Sequence, residues 1–313
     1  MKFLEEQSIK RYLSFCKLEK RLDLKTLKAY RGDLYQFSSW LSNNNSLFDS
    51  DSLHLYIIFL NSQYAVSSVK RKFASLKAFA NYLEENELQD NPFRGFRLNI
   101  KDPRILPKTI STEELNKTFR ALYRNESVDS RTTFGRFQIT RDRVVFELLI
   151  STGLRVSELC SLNKENVCFS SKTIRVLGKY AKERIIQIEN EHTLAALCSY
   201  IREASNVWPS WANEKNGSLL LNRLGERLSD QSVRLIINKW AKASEVSQNI
   251  TPHMFRHTFA TLLLENGVDI RYIQRFLGHS SIKTTEIYTY VSSEKMRVIL
   301  KTCNPRSSLC INS

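Results

Sequence analysis

Along the first ninety residues, apolar side chains recur at intervals of three and four, the period that gathers them on one face of an α-helix. In "SIKRYLSFCKLEK" they fall at 9, 12, 13 and 16, and in "LKTLKAYRGDLYQFSSWL" at 24, 27, 30, 34, 37 and 41. A polar break, "SNNNS" (42–46), separates these from a further helical stretch. "SSVKRKFASLKAFANYLEEN" follows, with Ser67 or Ser68 as the expected cap and Phe73, Leu76, Phe79, Ala80 and Leu83 turned inward. The opposite face of that helix is predicted to carry Lys70, Arg71, Lys72 and Lys77, with no acid before Glu84. A solvated helix face ordinarily mixes signs, so this row reads either as a basic surface or as a set of phosphate contacts.

The pattern changes after residue 90. "DNPFRGFRLNIKDPRILPKTIS" (90–111) holds three of the six prolines among basic residues, which predicts an extended linker. The expected domains are therefore 1–98 and 111–313, joined by 99–110. The second opens with "STEEL", a Ser/Thr cap with acids in the first turn. The polar run 123–143 is predicted to be a surface loop. Two β-branched runs, 173–177 and 185–188, flank a Gly-containing turn and predict a hairpin. "SDQSVRLIINKWAKAS" returns to the helical period, with Ser229 as its cap. The fold class expected is mainly α, with a small antiparallel β-hairpin or sheet in the second domain.

Composition narrows the class. A chain of 313 residues with 42% hydrophobic and 25% charged side chains folds as ordinary globular protein, with room for two cores. The apolar runs "LHLYIIFL" (53–60) and "VVFELLI" (144–150) are too short to span a bilayer. The N-terminus lacks a signal-peptide pattern, so a cytoplasmic protein with no membrane partner is expected. Six cysteines without a C-x-x-C pair read as reduced thiols. Charge adds more: 47 Lys and Arg against 32 Asp and Glu give a net +15, spread over the chain rather than held in one tail. That distribution points to a polyanion, and nucleic acid is the favoured partner.

The densest chemistry lies in "TPHMFRHTFATLLLENGVDIRYIQRFLGHSSIKTTEIYTY" (251–290), which holds three of the chain's five histidines. A helix through 253–257 places His253, Arg256 and His257 on one face. A metal site fits poorly, because Met254 follows His253, no carboxylate or Cys lies nearby, and an Arg would repel a dication; no metal is expected. A packing role, as a hydrogen-bonded core histidine, fits His257 best. Phosphate chemistry is the other reading. Guanidinium forks match phosphate oxygens, a tyrosine can attack phosphorus, a histidine can accept its proton and a cation can assist the leaving oxygen. Such a site needs a second Arg and a Lys. Arg155 in "STGLRVSEL", after a Gly turn at a helix start, and Lys179 in "GKYAK" supply them.

Taken in order, "TGLRVSEL", "GKYAKER", "HMFRHTFAT" and "LGHSSIKTTEIYTYV" resemble the tyrosine recombinases, or phage integrases, most closely their Xer-like branch. The resemblance is strong over 145–291. Over 1–100 the chain is similar to the family's helical, SAM-like core-binding domain. The resemblance implies a two-domain DNA clamp in which Arg155 and Arg256 hold the scissile phosphate. Lys179 is then the general acid toward the 5′ oxygen, His253 the acid/base partner, and His279 binds the phosphate or supports the nucleophile.

Tyr288, nine residues after His279, is the implied nucleophile. Tyr290 remains its rival, since residues two apart on a helix point about 200° apart and one site can use only one of them. Glu158 and His257 would support the site from behind, and Lys70, Arg71, Lys72 and Lys77 are candidate DNA contacts. A 3′-phosphotyrosine keeps the phosphodiester energy, so no cofactor is implied. The implied partners are double-stranded DNA with inverted-repeat core sites and a homo-tetramer on two such sites, or a hetero-partner recombinase. A topoisomerase-like relaxing enzyme and a cleavage-deficient DNA-binding relative are the alternatives. "SEKMRVILKTC" would be a C-terminal helix, docked on its own domain or on a neighbour's.

Overall fold

The computed structural model describes residues 6–98, 100, 108–124, 131–178, 183–214, 217–278 and 293–309. The chain divides into two compact units, Met1–Ile105 and Leu106–Ser313. The described part of the first is helical: α1 (Glu6–Leu18), α2 (Leu24–Asn43), α3 (Ser50–Gln63) and α4 (Val66–Glu85). Asp23 starts α2 by accepting from the Thr26 N–H at 2.9 Å, and Asp49 starts α3 through Ser52 at 2.8 Å. Each such cap satisfies one orphan donor of a first turn.

The predicted stripes meet in one core. Ile9, Tyr12 and Cys16 of α1, Leu34, Phe37 and Leu41 of α2, Tyr56 of α3 and Phe79 of α4 are all buried. Its aromatic rings interlock, with Phe37 and Tyr56 centroids 4.7 Å apart. Each such side chain contributes roughly 1.5–3 kcal/mol by leaving water. One expectation is corrected: α4 begins at Val66, with Ala65 in the cap position and no side-chain cap, rather than at Ser67 or Ser68.

The second unit opens as predicted. Ser111 and Glu114 form a reciprocal capping box at the start of α5 (Thr112–Arg124), with N···O distances of 3.1 and 3.2 Å. The polar run 123–143 is not a loop. The end of α5 enters it, residues 125–130 lie outside the described part, and α6 (Thr133–Thr152) occupies the rest, capped by Thr132. Its polar groups go inward because they are paired. Arg141 donates to Asp142, and Asp142 accepts from Trp240 Nε1 at 2.9 Å. α6 is buried along most of its length and forms the axis of this unit.

Around it stand α7 (Val156–Ser161), α8 (Glu191–Val207), α9 (Pro209–Asn213), α10 (Asp230–Ala243), α11 (Pro252–Glu265), α12 (Ile270–Leu277) and α13 (Ser293–Thr302). Ser229 caps α10, as expected. The β element is a three-stranded antiparallel sheet in the order β1 (Val167–Cys168), β2 (Thr173–Leu177), β3 (Glu183–Gln187). β2 and β3 pair from Thr173↔Gln187 to Leu177↔Glu183, with Ile174, Val176 and Ile186 buried on one face. Among the described residues, no helix is long and apolar enough to cross a membrane.

α13 and the segment after it pack on their own unit. Leu300 joins Phe259, Leu263 and Phe276 in a small core, and Arg297 pairs with Glu189 at 2.8 Å. Beyond the helix, Arg306 Nε donates to both oxygens of the fully buried Glu147, at 2.8 and 2.9 Å. Tyr123 and Thr193 hydroxyls complete that carboxylate's shell at 2.6 and 3.1 Å.

Candidate active site

The site is built on two left-handed turns. Gly153 ends α6 with φ 62°, and a Cβ there would lie 2.6 Å from Phe259 Cδ1 and 2.9 Å from Leu277 Cδ2. Only glycine suits both the backbone angle and the space. The chain leaves that turn extended, so Arg155 becomes the N-cap residue of α7. Its backbone N–H donates to Glu158 Oε2 at 2.9 Å, and its Nη1 to Glu158 Oε1 at 2.7 Å. The side chain of Arg155 keeps 35% of its surface exposed while the carboxylate beneath keeps 6%. A guanidinium is thus held from behind and open in front.

Glu158 is therefore not the surface charge that a lone acid on a helix would be. Its other bonds come from Arg184 on β3: Nη1 to Oε1 at 3.0 Å and Nη2 to Oε2 at 2.8 Å. Burial pushes this carboxyl up, but the hydrogen bonds from Arg184 and from the Arg155 backbone outweigh it and hold the pKa at about 2.

Arg256 reaches the same turn from α11, whose start is fixed by the Thr251 cap and Pro252. Its Nη1 donates to the Gly153 carbonyl at 2.9 Å and its Nη2 to the Leu277 carbonyl at 2.7 Å. It thereby ties the end of α6 to the end of α12. Burial, and then the charge of Arg155, lower its pKa to about 10, so it is a cation at neutral pH. His253, one turn earlier, is exposed. Its ring stands edge-on to that of half-buried His257, with centroids 4.4 Å apart. His257 is not a core histidine. Its pKa is lowered by burial, then by His253 and Arg256. Among the described residues no cluster of three His, Cys, Asp or Glu could hold a metal ion.

Three calls lie outside the described residues: Lys179, His279 and Tyr288, as does the rival Tyr290. The described structure stops at Gly178 before Lys179 and at Gly278 before His279. Gly278 is the second left-handed turn, φ 62°, and closes α12.

The basic row of α4 needs a correction. Lys72 does not lie on the outer face; it is 7% exposed and turned inward to the buried Asp33 at 3.2 Å and to Gln36, over the Tyr64 ring. Arg71 also pairs with Asp33, yet keeps 48% of its side chain exposed. Lys77 is exposed and Lys70 half-buried.

Residues 133–295 match the phage integrase family, and residues 9–87 match its N-terminal SAM-like domain. A tyrosine recombinase of Agathobacter rectalis is 44% identical over 300 residues, 95% of this chain and 96% of the relative. The chain belongs to the phage integrase family.

These tyrosine recombinases include XerC of Pediococcus pentosaceus, 33% identical over 96% of this chain and 97% of the relative. As a member, the chain is a site-specific recombinase, an enzyme that works through a tyrosine. The fold agrees. The solved XerH recombinase bound to its difH substrate has a TM-score of 0.64 at 23% identity, covering 94% of this chain and 83% of that one. A lambda integrase dimer on a core site gives 0.62 at 17% identity, covering 90% and 98%.

The described geometry adds one residue that the sequence patterns above do not name, Arg184, bonded to Glu158. The signal was available. In "ERIIQ" the period of two puts Arg184 on the same face as buried Ile186, where a charged side chain needs a buried partner.

Proposed function

We propose that this recombinase cuts and rejoins duplex DNA at inverted-repeat core sites, with Tyr288 as its nucleophile. The observation that carries the reading is the convergence of Arg155 and Arg256 on the Gly153 turn, with Glu158 behind and His253 on the adjacent helical turn. Arg155, Arg184 and Arg256 gather around one carboxylate, Glu158, and the positive charge left over is costly unless a further anion sits among them. A phosphodiester in transfer supplies that anion.

In the reaction, the Tyr288 hydroxyl oxygen bonds to phosphorus and the P–O5′ bond breaks. His253 takes the phenolic proton, and Lys179 gives a proton to the departing 5′ oxygen. His279 contacts the phosphate, and His257 supports His253. The products are a 3′-phosphotyrosine and a 5′ hydroxyl. A 5′ hydroxyl from a second duplex then attacks the phosphotyrosine, and Tyr288 leaves with a proton regained. Bonds formed and broken balance, so the chemistry consumes no cofactor. Strand exchange needs two sites side by side, hence a homo-tetramer, or a tetramer shared with a partner recombinase. The helical unit 1–98 and the catalytic unit 111–313, joined by 99–110, both bind the same duplex, which the net +15 favours. Such a protein acts in the cytoplasm.

Covalent trapping tests this. The protein is mixed with a nicked duplex of a site selected from random DNA, in EDTA, and resolved after SDS. A protein–DNA adduct with a free 5′ hydroxyl, lost in Tyr288→Phe and kept in Tyr290→Phe, is expected. Loss only in Tyr290→Phe would reassign the nucleophile, and tight binding without an adduct would leave a DNA-binding relative.

A further inference from the structure

We infer that Arg184 is a positioning residue for strand cleavage: by occupying the far side of Glu158 it keeps Arg155 aimed at the phosphate. This rests on the recombinase reading above. Glu158 has two oxygens and receives four hydrogen bonds, two from Arg155 and two from Arg184. That fills the lone pairs of an ionised carboxylate. Arg155 consequently spends a single guanidinium nitrogen on Glu158, through one bond at 2.7 Å, and its remaining N–H groups stay available. Were Arg184 absent, the carboxylate would be free to turn and take Arg155 in the two-bond, fork-to-fork geometry that such pairs prefer. The guanidinium would then face Glu158 rather than the substrate.

Placement strengthens the assignment. Arg184 is the second residue of β3, five positions after Lys179 in the sequence. Its aliphatic stem fills the space over Gly278, the residue before His279; a Cβ on Gly278 would lie 3.1 Å from Arg184 Cδ. One side chain thus touches the start of α7 through Glu158, the base of the hairpin through its own backbone, and the end of α12 through Gly278. Those are the points from which Arg155, Lys179 and His279 depart. Charge argues in the same direction. Arg155, Arg184 and Arg256 oppose the single carboxylate of Glu158, an excess of two positive charges suited to a phosphoryl group gaining negative charge in transfer. With Arg184 gone the excess falls to one.

Arg184→Met keeps the stem and removes the guanidinium, and Arg184→Lys restores a cation without the fork. Each full-length variant is compared with the unaltered protein on the nicked duplex, following the first-order rate of adduct formation at saturating protein and, separately, DNA affinity. For Arg184→Met we expect a rate lower by about 10²-fold, the scale of a misaimed clamp, with affinity unchanged within about twofold. Arg184→Lys should recover part of that loss. In Arg184→Met the rate should also fall as pH drops from about 7.5 to about 5.5, since a carboxyl losing its strongest partner takes up a proton at higher pH. A cleavage rate in Arg184→Met equal to that of the unaltered protein, or a loss that follows affinity alone, would overturn the assignment. Failure of the unaltered protein to form any adduct would overturn the recombinase reading itself, and is seen in a different lane.

Discussion

His257 carries a local conflict that can be measured. Burial, His253 and Arg256 all disfavour its protonation, so its folded-state pKa lies below the ordinary 6.5. The folded protein then binds this proton less readily than the unfolded chain does. The stability involved is complete above about 6.5 and is lost as pH falls below that toward the lowered folded-state value. Glu158 acts in the same direction, but its window runs from its ordinary 4.5 down to about 2. Between pH 7.5 and 5.5 Glu158 stays ionised, so of these two groups the imidazole is the one that titrates. His257→Gln is therefore expected to lose less Tm over that range than the unaltered protein, as read by thermal melts at half-unit steps. Equal slopes would show that burial, His253 and Arg256 together do not hold the imidazole below its ordinary range. At this scale the sequence was most legible where a turn announces the residue. Arg155 follows a glycine and caps a helix, and both features were visible in "STGLRVSEL". The period of two in "ERIIQ" turns Arg184 inward but does not name its partner, Glu158, which is 26 positions away.

At the scale of elements, the two left-handed glycines hold the site's geometry. Gly153→Ala must place a Cβ 2.6 Å from the Phe259 ring at φ 62°. The backbone angle costs roughly 1–2 kcal/mol and the overpacking roughly 1–3 more. Gly267→Ala is the matched control, with φ 76° and nothing within 4 Å of the new carbon. Its cost should be the backbone share alone. In a unit of this size each kcal/mol shifts Tm by about 2–4 °C, so a scan separates the two. Equal shifts would mean that Phe259 moves aside freely. Elements of strong period, such as α2, α10 and the β2–β3 pair, were readable because one face is apolar and the other wet. The start of α6 reads as a loop in the sequence for the opposite reason. Its first half buries polar groups, and Arg141, Asp142 and Trp240 satisfy one another only after α10 has folded against it. The docking of the C-terminal segment is not legible in the sequence for a similar reason, since Arg306 and Glu147 are 159 positions apart.

For the molecule as a whole, the excess of 15 positive charges predicts DNA binding that weakens steeply with salt. The slope counts phosphates neutralised, so it can tell a contacting lysine from a structural one. Lys77 is exposed on α4, whereas Lys72 on the same helix is spent on Asp33, Gln36 and the Tyr64 ring. Lys77→Ala should therefore leave Tm unchanged and reduce the log–log salt slope by about 0.9, one phosphate's share. Lys72→Ala should do the reverse. Removing a buried cation leaves the Asp33 carboxylate with Arg71 and Ser75 alone, at a cost of several kcal/mol if Arg71 cannot follow it, while the slope stays fixed. Titrations at four salt concentrations, paired with melts, give both quantities for each variant. If Lys72→Ala lowers the slope with Tm intact, the inward cluster opens on DNA and the helix reads phosphate with its whole basic row. If Lys77→Ala changes neither quantity, α4 faces away from the duplex, and the positive charge that binds DNA belongs mainly to the second unit.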